Sequence, residues 1–181
     1  MIIFIRHAET KVYADLPATQ WCLTDAAYQA SKQLARELQK FKLKHILNSE
    51  EFKAKETGRV VAEELKLPWK TATNLHEHER KDVSVMAAEV WQQTIKDFFA
   101  KPDVFILGKQ ETANQALKRF DQAVRDVLKI YSEGVAIVTH ASVMSLFVAQ
   151  YNIVDAYTFW QGLKMPDSVV LDAEFELLNV Y

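Results

Sequence analysis

Two apolar runs constrain the fold of this chain more than any other feature. Ile2-Ile3-Phe4-Ile5 continues without a polar break and stops at Arg6-His7, and Val135-Ala136-Ile137-Val138-Thr139 stops at His140. Short apolar runs without alternation suit strands buried on both faces, as in a parallel sheet covered by helices. In open α/β sheets, ligands bind outside the carboxyl ends of the strands. If both strands are parallel and central, two imidazoles meet at one sheet edge beside the Arg6 guanidinium, making a candidate anion site. Either histidine alone is as well explained as a core or surface residue. The coincidence of two such strand ends favours a shared site.

Bulk properties narrow the class. At 181 residues the chain suits one domain, residues 1–181, burying about 70% of its unfolded surface. Apolar content of 49% and charged content of 25% fit a globular protein, and a net charge of −2 points to neither a nucleic-acid nor a membrane partner. The single Cys22 excludes an internal disulfide framework and fits a reducing compartment. The N-terminal apolar run is too short for a signal peptide or a membrane span, so a cytoplasmic location is expected. The glycines, Gly58, Gly108, Gly134 and Gly162, are not spaced as a dinucleotide fingerprint or a phosphate-binding P-loop. Phosphate, if bound, must be held largely by side chains. Oligomeric state is not legible.

The remaining elements follow from periodicity and punctuation. Thr24 or Asp25 can cap a helix to about Lys40, with Ala27, Ala30, Leu34, Leu38 and Phe41 on one stripe. Lys44 to Ser49 reads as a second strand. Ser49 then stands at a helix-cap position with Glu50 and Glu51 in the first turn, where the macrodipole favours acids. That helix stops before Pro68. Trp69 to Leu75 is a weak third strand, followed by the polar cluster His76-Glu77-His78-Glu79-Arg80-Lys81-Asp82. Val90, Trp91, Ile95 and Phe98 mark a helix ending near Pro102, and Thr112 caps a long one. Ser142 to Tyr151 and Asp155 to Gly162 are helical. Ser168 to Leu171 and Phe175 to Val180 pair as antiparallel strands. The expected fold is α/β, a three-layer α/β/α sandwich whose mostly parallel central sheet carries an antiparallel edge strand. The segment from about 78 to 108 is the expected insertion, placed to cover the site.

Here the residues match a family. Arg6-His7-Ala8-Glu9-Thr10 resembles the Arg-His-Gly-Glu-Thr/Ser signature of the histidine phosphatase superfamily, the phosphoglycerate-mutase-like proteins. Trp21-Cys22-Leu23-Thr24 is similar to the family's Trp-x-Leu-Thr. Ser49-Glu50-Glu51-Phe52-Lys53-Ala54-Lys55-Glu56-Thr57 resembles Ser-x-x-x-Arg-Ala-x-Glu-Thr. Leu75-His76-Glu77 resembles Leu-x-Glu, Gly108-Lys109-Gln110-Glu111-Thr112 resembles Gly-Glu-Ser/Thr, and Val138-Thr139-His140 matches the second histidine strand. Each piece is weak, but the ordered set spans nearly the whole chain.

The resemblance implies a phosphoglycerate-mutase-like fold and a set of roles. His7 would attack phosphorus and become a phosphohistidine. Arg6 would bind phosphate oxygens through its planar fork, and His140 would donate to another oxygen as charge develops. Glu77 would be the general acid and then the base, which requires a carboxyl pKa raised toward neutral. Glu79 is the competing acid. His78 and Arg80 would be further substrate contacts, and Thr10 would either help the site or simply order the turn. Three departures bear on the pocket. Lys53 stands where the family has a second phosphate arginine, keeping the charge and losing the fork. Tyr13 stands where it has an asparagine. Ala8 and Ala141 replace usual glycines.

The leading expectation is a phosphomonoester hydrolase that needs neither metal nor cofactor, acting on a phosphorylated small molecule or phosphoprotein. Two other readings stay open: a phosphate-ligand-binding pseudoenzyme of weak or no activity, and a phosphomutase. A metal hydrolase built on His76, His78 and His140 has less support, because no Cys pair or His-Glu-x-x-His motif is present.

Overall fold

The computed structural model describes residues 1–13, 15–80, 86–108 and 110–181. Lys81 and Asp82 of the polar cluster, with the rest of residues 81–85 near the start of the expected 78–108 insertion, and Lys109 lie outside the described residues.

Among the described residues the strands are β1 (Ile2–Arg6), β2 (His45–Asn48), β3 (Trp69–Thr71), β4 (Val135–Thr139), β5 (Asp167–Leu171) and β6 (Leu177–Val180). The helices are α1 (Asp25–Leu38), α2 (Phe52–Leu65), α3 (Ala88–Ala100), α4 (Ala113–Ile130), α5 (Ala141–Tyr151) and α6 (Ala156–Gly162). The strands form one sheet in the order β3-β2-β4-β1-β5-β6. The pairs β2–β3, β2–β4 and β1–β4 are parallel, while β5 runs antiparallel to β1 and β6 to β5. This is the expected α/β sandwich, with antiparallel strands at one edge.

Residue alternation assigns the two faces. Ile2 and Phe4 point into one core with Ile137, Val169, Phe120 and Phe147, whereas Ile3 and Ile5 point into another with Val138, Leu34, Leu38 and Val61. The period of two in β1 therefore joins α1 and α2 on one face to α3, α4 and α5 on the other. Ile95 and Phe98 of α3 are fully buried in the Phe4 core, so this part of the expected insertion packs as a core element.

Two local expectations shift. Thr24 caps α1 through Ala27 N–H, and Thr112 makes a capping box with Gln115 at α4. Ser49, however, does not cap α2: the N-cap is Glu51, without a side-chain bond, and the Ser49 hydroxyl is used elsewhere. The third strand is only Trp69–Thr71, an exposed edge reached through Lys66 at φ 57°.

Placing β4 between β2 and β1 sets the site. The chain moves from β1 outward to β2 and β3, returns to β4, then crosses to β5 on the other side of β1. The ends of β1 and β4 thus flank a switch point, where an α/β sheet opens a crevice.

Candidate active site

Arg6 and Thr139 are register partners, so the next residue on each strand is a histidine, and the rings of His7 and His140 lie 5.2 Å apart between centroids. His7 Nδ1 is 2.8 Å from the Ala8 carbonyl. A carbonyl can only accept, so the ring proton belongs on Nδ1 and the lone pair on Nε2. The Ala8 N–H donates to Thr57 Oγ1 at 3.0 Å, and the Thr57 hydroxyl donates to the Lys53 carbonyl at 2.8 Å. A buried threonine on α2 thereby fixes the turn that orients His7. Burial, together with the charges of His140, Lys53 and Arg6, pushes the His7 pKa well below the ordinary imidazole value, and the Ala8 carbonyl only partly opposes this.

His140 is fully buried. Its Nε2 is 2.8 Å from Ser49 Oγ and 3.5 Å from Glu51 Oε1, while Nδ1 has no partner among the described residues. Burial and the Lys53 charge hold its pKa well down, although Glu77 pulls the other way. Arg6 donates from Nη1 to the Leu163 carbonyl at 2.6 Å, and its buried Nε has no partner among the described residues. Burial lowers its pKa against Glu77 and Asp167, yet a guanidinium stays charged across the working range. The unpaired, buried Arg6 Nε–H beside the His7 lone pair suits an oxyanion.

Glu77 lies at the start of α5. Its Oε2 accepts from Ser142 N–H at 3.1 Å, and its Oε1 accepts from Val143 N–H at 3.3 Å and His78 N–H at 2.9 Å. The N-cap residue His140 offers α5 no side-chain cap, so Glu77 supplies one from another segment. Burial is the largest influence on its pKa and would raise it. The charges of His140 and Arg80 and the N–H bonds outweigh burial, and the pKa lies below the ordinary carboxyl value. A general acid would need the opposite shift. The competing acid, Glu79, is exposed and pairs with His76 Nε2 at 3.2 Å.

Lys53 is buried, but its ammonium bonds Glu51 Oε2 at 2.7 Å and the Ala18 carbonyl at 3.1 Å. Arg80 stacks on Trp91 at 4.7 Å, and its charge reaches Glu77 and His140. His78 is drawn into the core: its Nε2 donates to the Glu111 carbonyl at 2.7 Å and its ring packs edge-on against Phe98. Thr10 bridges Leu23, and the Tyr13 carbonyl accepts from Trp21 Nε1, so both show loop-holding contacts. The structure thus gathers Arg6, His7, His140, Glu77 and Lys53, with Arg80 near by, and leaves His78 aside.

Three residues absent from the sequence expectation shape the site. Glu51 is buried, accepts from Glu77 N–H at 2.8 Å and is held ionised by Lys53 against its burial. Arg119 on α4 donates to the carbonyls of Asn74, His76 and Glu77 at 2.9, 3.0 and 3.2 Å. Glu111 pairs with Arg119 at 2.8 Å and accepts from Glu79 N–H at 3.0 Å. Among the described residues no three His, Cys, Asp or Glu side chains gather as a metal-holding group, and His76, His78 and His140 form no such set. Among the same residues no helix is long and apolar enough to cross a membrane.

Comparison with known proteins adds a family. The Histidine phosphatase superfamily (branch 1) profile matches residues 2–171. No curated protein sequence matches significantly. Bacillus stearothermophilus YhfR is similar in structure with a TM-score of 0.73 at 21% identity, over 98% of this chain and 93% of that one. An alpha-ribazole phosphatase from Shigella flexneri gives a TM-score of 0.70 at 20% identity, over 99% and 94%. A phosphoserine phosphatase from Entamoeba histolytica gives 0.73 at 15%, over 99% and 95%. At these identities the likeness is one of fold.

Proposed function

The chain belongs to the histidine phosphatase superfamily, branch 1, and from that premise we propose that it hydrolyses phosphomonoesters through a phosphohistidine on His7. The observation that carries the reading is the Nδ1 contact of His7 with the Ala8 carbonyl at 2.8 Å, which leaves the Nε2 lone pair for attack. That ring stays neutral into mild acid, as a nucleophile requires. Two of the fold neighbours are phosphatases of phosphorylated metabolites, which supports a phosphomonoester as the substrate class.

In the first step Nε2 of His7 bonds phosphorus as the bond from phosphorus to the alcohol oxygen breaks. Glu77, which starts as a carboxylate, first takes the proton that a phosphomonoester monoanion carries, then gives it to that oxygen, which leaves as the alcohol. In the second step Glu77 removes a proton from water, the water oxygen bonds phosphorus, and the phosphorus–Nε2 bond breaks to release inorganic phosphate. Arg6 meets the charge that builds on the phosphoryl oxygens, and His140 joins it as an Nδ1–H donor in the tautomer whose Nε2 accepts from the Ser49 hydroxyl. No step calls for a metal.

A phosphate-binding pseudoenzyme is favoured by one contact, the 2.7 Å tie of Lys53 to Glu51 in place of an open cation. Turnover of an aryl phosphate by wild type and by His7→Ala separates the two. The phosphatase reading expects a loss of roughly a thousand-fold or more in His7→Ala, together with an acid-labile phosphoryl adduct on His7 in quenched wild type. Equal rates in both proteins would remove the phosphohistidine. Phosphate binding without turnover in either would favour the pseudoenzyme.

A further inference from the structure

We propose that Glu51 is an internal counter-anion that offsets the charge of Lys53, so that Lys53 is not the phosphate-holding cation of this site and the pocket binds phosphate less tightly than its basic residues imply. The inference rests on the phosphomonoester site proposed above and concerns how that site is tuned.

The contacts are specific. Glu51 is 7% exposed and Lys53 is 4% exposed, and their charged atoms lie 2.7 Å apart. A second ammonium donor goes to the Ala18 carbonyl at 3.1 Å, which ties Lys53 to the loop before α1. Two of its three donors are therefore committed within the protein. The other Glu51 oxygen, Oε1, accepts from Glu77 N–H at 2.8 Å and lies 3.5 Å from His140 Nε2. Glu51 thus reaches the general-acid backbone, the second imidazole and the lysine at once. A carboxylate with no role at the anion site would not be expected within its cationic shell, because burial costs it hydration and its field repels phosphate. The charges around the two imidazoles are Arg6, Lys53 and Arg80 against Glu51 and Glu77. Neutralising Glu51 returns one full positive charge to that set.

The test measures affinity for inorganic phosphate by calorimetry at pH 7, which needs no turnover. Glu51→Gln keeps an acceptor for Glu77 N–H and removes the charge. The expected result is tighter phosphate binding, by roughly ten-fold, and a larger phosphate-induced rise in melting temperature than in wild type. A purely structural Glu51 would instead leave phosphate affinity unchanged or weaken it, which would overturn the proposal. An unpaired buried lysine can prevent folding, so the double variant Glu51→Gln/Lys53→Gln supplies a second arm without an unpaired buried charge. If the two charges offset each other, the double variant binds phosphate within about three-fold of wild type. A loss beyond about ten-fold would mean that Lys53 is itself the phosphate cation, and the proposal falls. The outcomes separate from those of the functional reading. His7-dependent turnover with no tightening in Glu51→Gln sinks this inference alone. Tightening without turnover in wild type sinks the phosphatase reading alone.

Discussion

At the scale of single residues, the roles proposed for His7 and Glu77 meet different protonation states. The His7 pKa is pushed well down, which keeps the ring neutral as the proposed nucleophile requires. The Glu77 pKa is also pushed down, so its carboxylate suits the proposed base step and, as it stands, holds no proton for a leaving alkoxide. The missing proton can arrive with the substrate, because a phosphomonoester has a second pKa near about 6 and its monoanion carries one. Passing that proton to Glu77 is favoured once dianionic phosphate lies beside the carboxylate, since like charge raises its pKa. The expected kcat/KM profile for an alkyl phosphate therefore declines above about pH 6, with an acid limb lying below the ordinary imidazole value. An aryl phosphate leaves without assistance and depends less on the proton. Glu77→Gln should slow the alkyl substrate by roughly 10²–10⁴-fold and the aryl substrate far less. Equal losses for both substrates would assign Glu77 a purely structural role at the start of α5.

At the scale of elements, the loop carrying Glu77 is held from behind by α4. Arg119 gathers three carbonyls of residues 74–77 while Glu111 takes the Glu79 N–H and, through its own carbonyl, His78. Arg119→Met removes these donors and leaves the nearly buried Glu111 carboxylate without its cation, at a cost of about 3 kcal/mol by analogy with broken buried pairs. Denaturant unfolding checks that figure. Kinetics should show a fall in kcat larger for the alkyl than for the aryl substrate, with KM little changed, because the acid is displaced while the phosphate cradle remains. A uniform loss across substrates would mean that Arg119 supports only the fold. Much at this scale was legible in the chain. The apolar runs marked β1 and β4, and Thr24 and Thr112 marked the starts of α1 and α4, because burial and capping are local properties. Two imidazoles at two strand ends were legible for the same reason. Ser49 misled: a serine before a helix reads as its cap, but here its hydroxyl meets an imidazole 91 positions away. Glu51 and Arg119 stayed hidden because an acid in a first turn and an arginine on an amphipathic helix each have an ordinary local explanation. Their partners come from distant segments, and no periodicity reports such pairings. For Glu51, the one available signal was an acid two positions before the pocket lysine.

At the scale of the whole molecule, the sheet separates two apolar cores that stop short of its carboxyl edge, where buried ionisable groups take over. Phe4 shows how firmly one core is built, lying 5.6 Å from Phe120 and edge-on to Phe147 at 5.1 Å. Acid should therefore loosen the molecule from the site outward. The folded pKa values of His7 and His140 are depressed, so the unfolded chain binds more protons as pH falls through about 6.5. The stability linked to these neutral imidazoles is complete above that value and is lost below it, with a slope of at most about 1.4 kcal/mol per pH unit for the fully buried His140. Glu51 and Glu77 are also depressed, and as carboxylates their contribution is present above the ordinary carboxyl value and is lost only as pH falls below it. Two stages follow, an imidazole stage beginning near pH 6.5 and a carboxylate stage below about pH 4.5. Melting temperature measured from pH 8 to pH 4 resolves them. His140→Gln, whose amide can still meet the Ser49 hydroxyl, should flatten the first stage and leave the second. An unchanged slope between pH 6.5 and 5 in that variant would place the acid sensitivity elsewhere in the fold, and a stability that rises on acidification would contradict the burial of neutral imidazoles at the sheet edge.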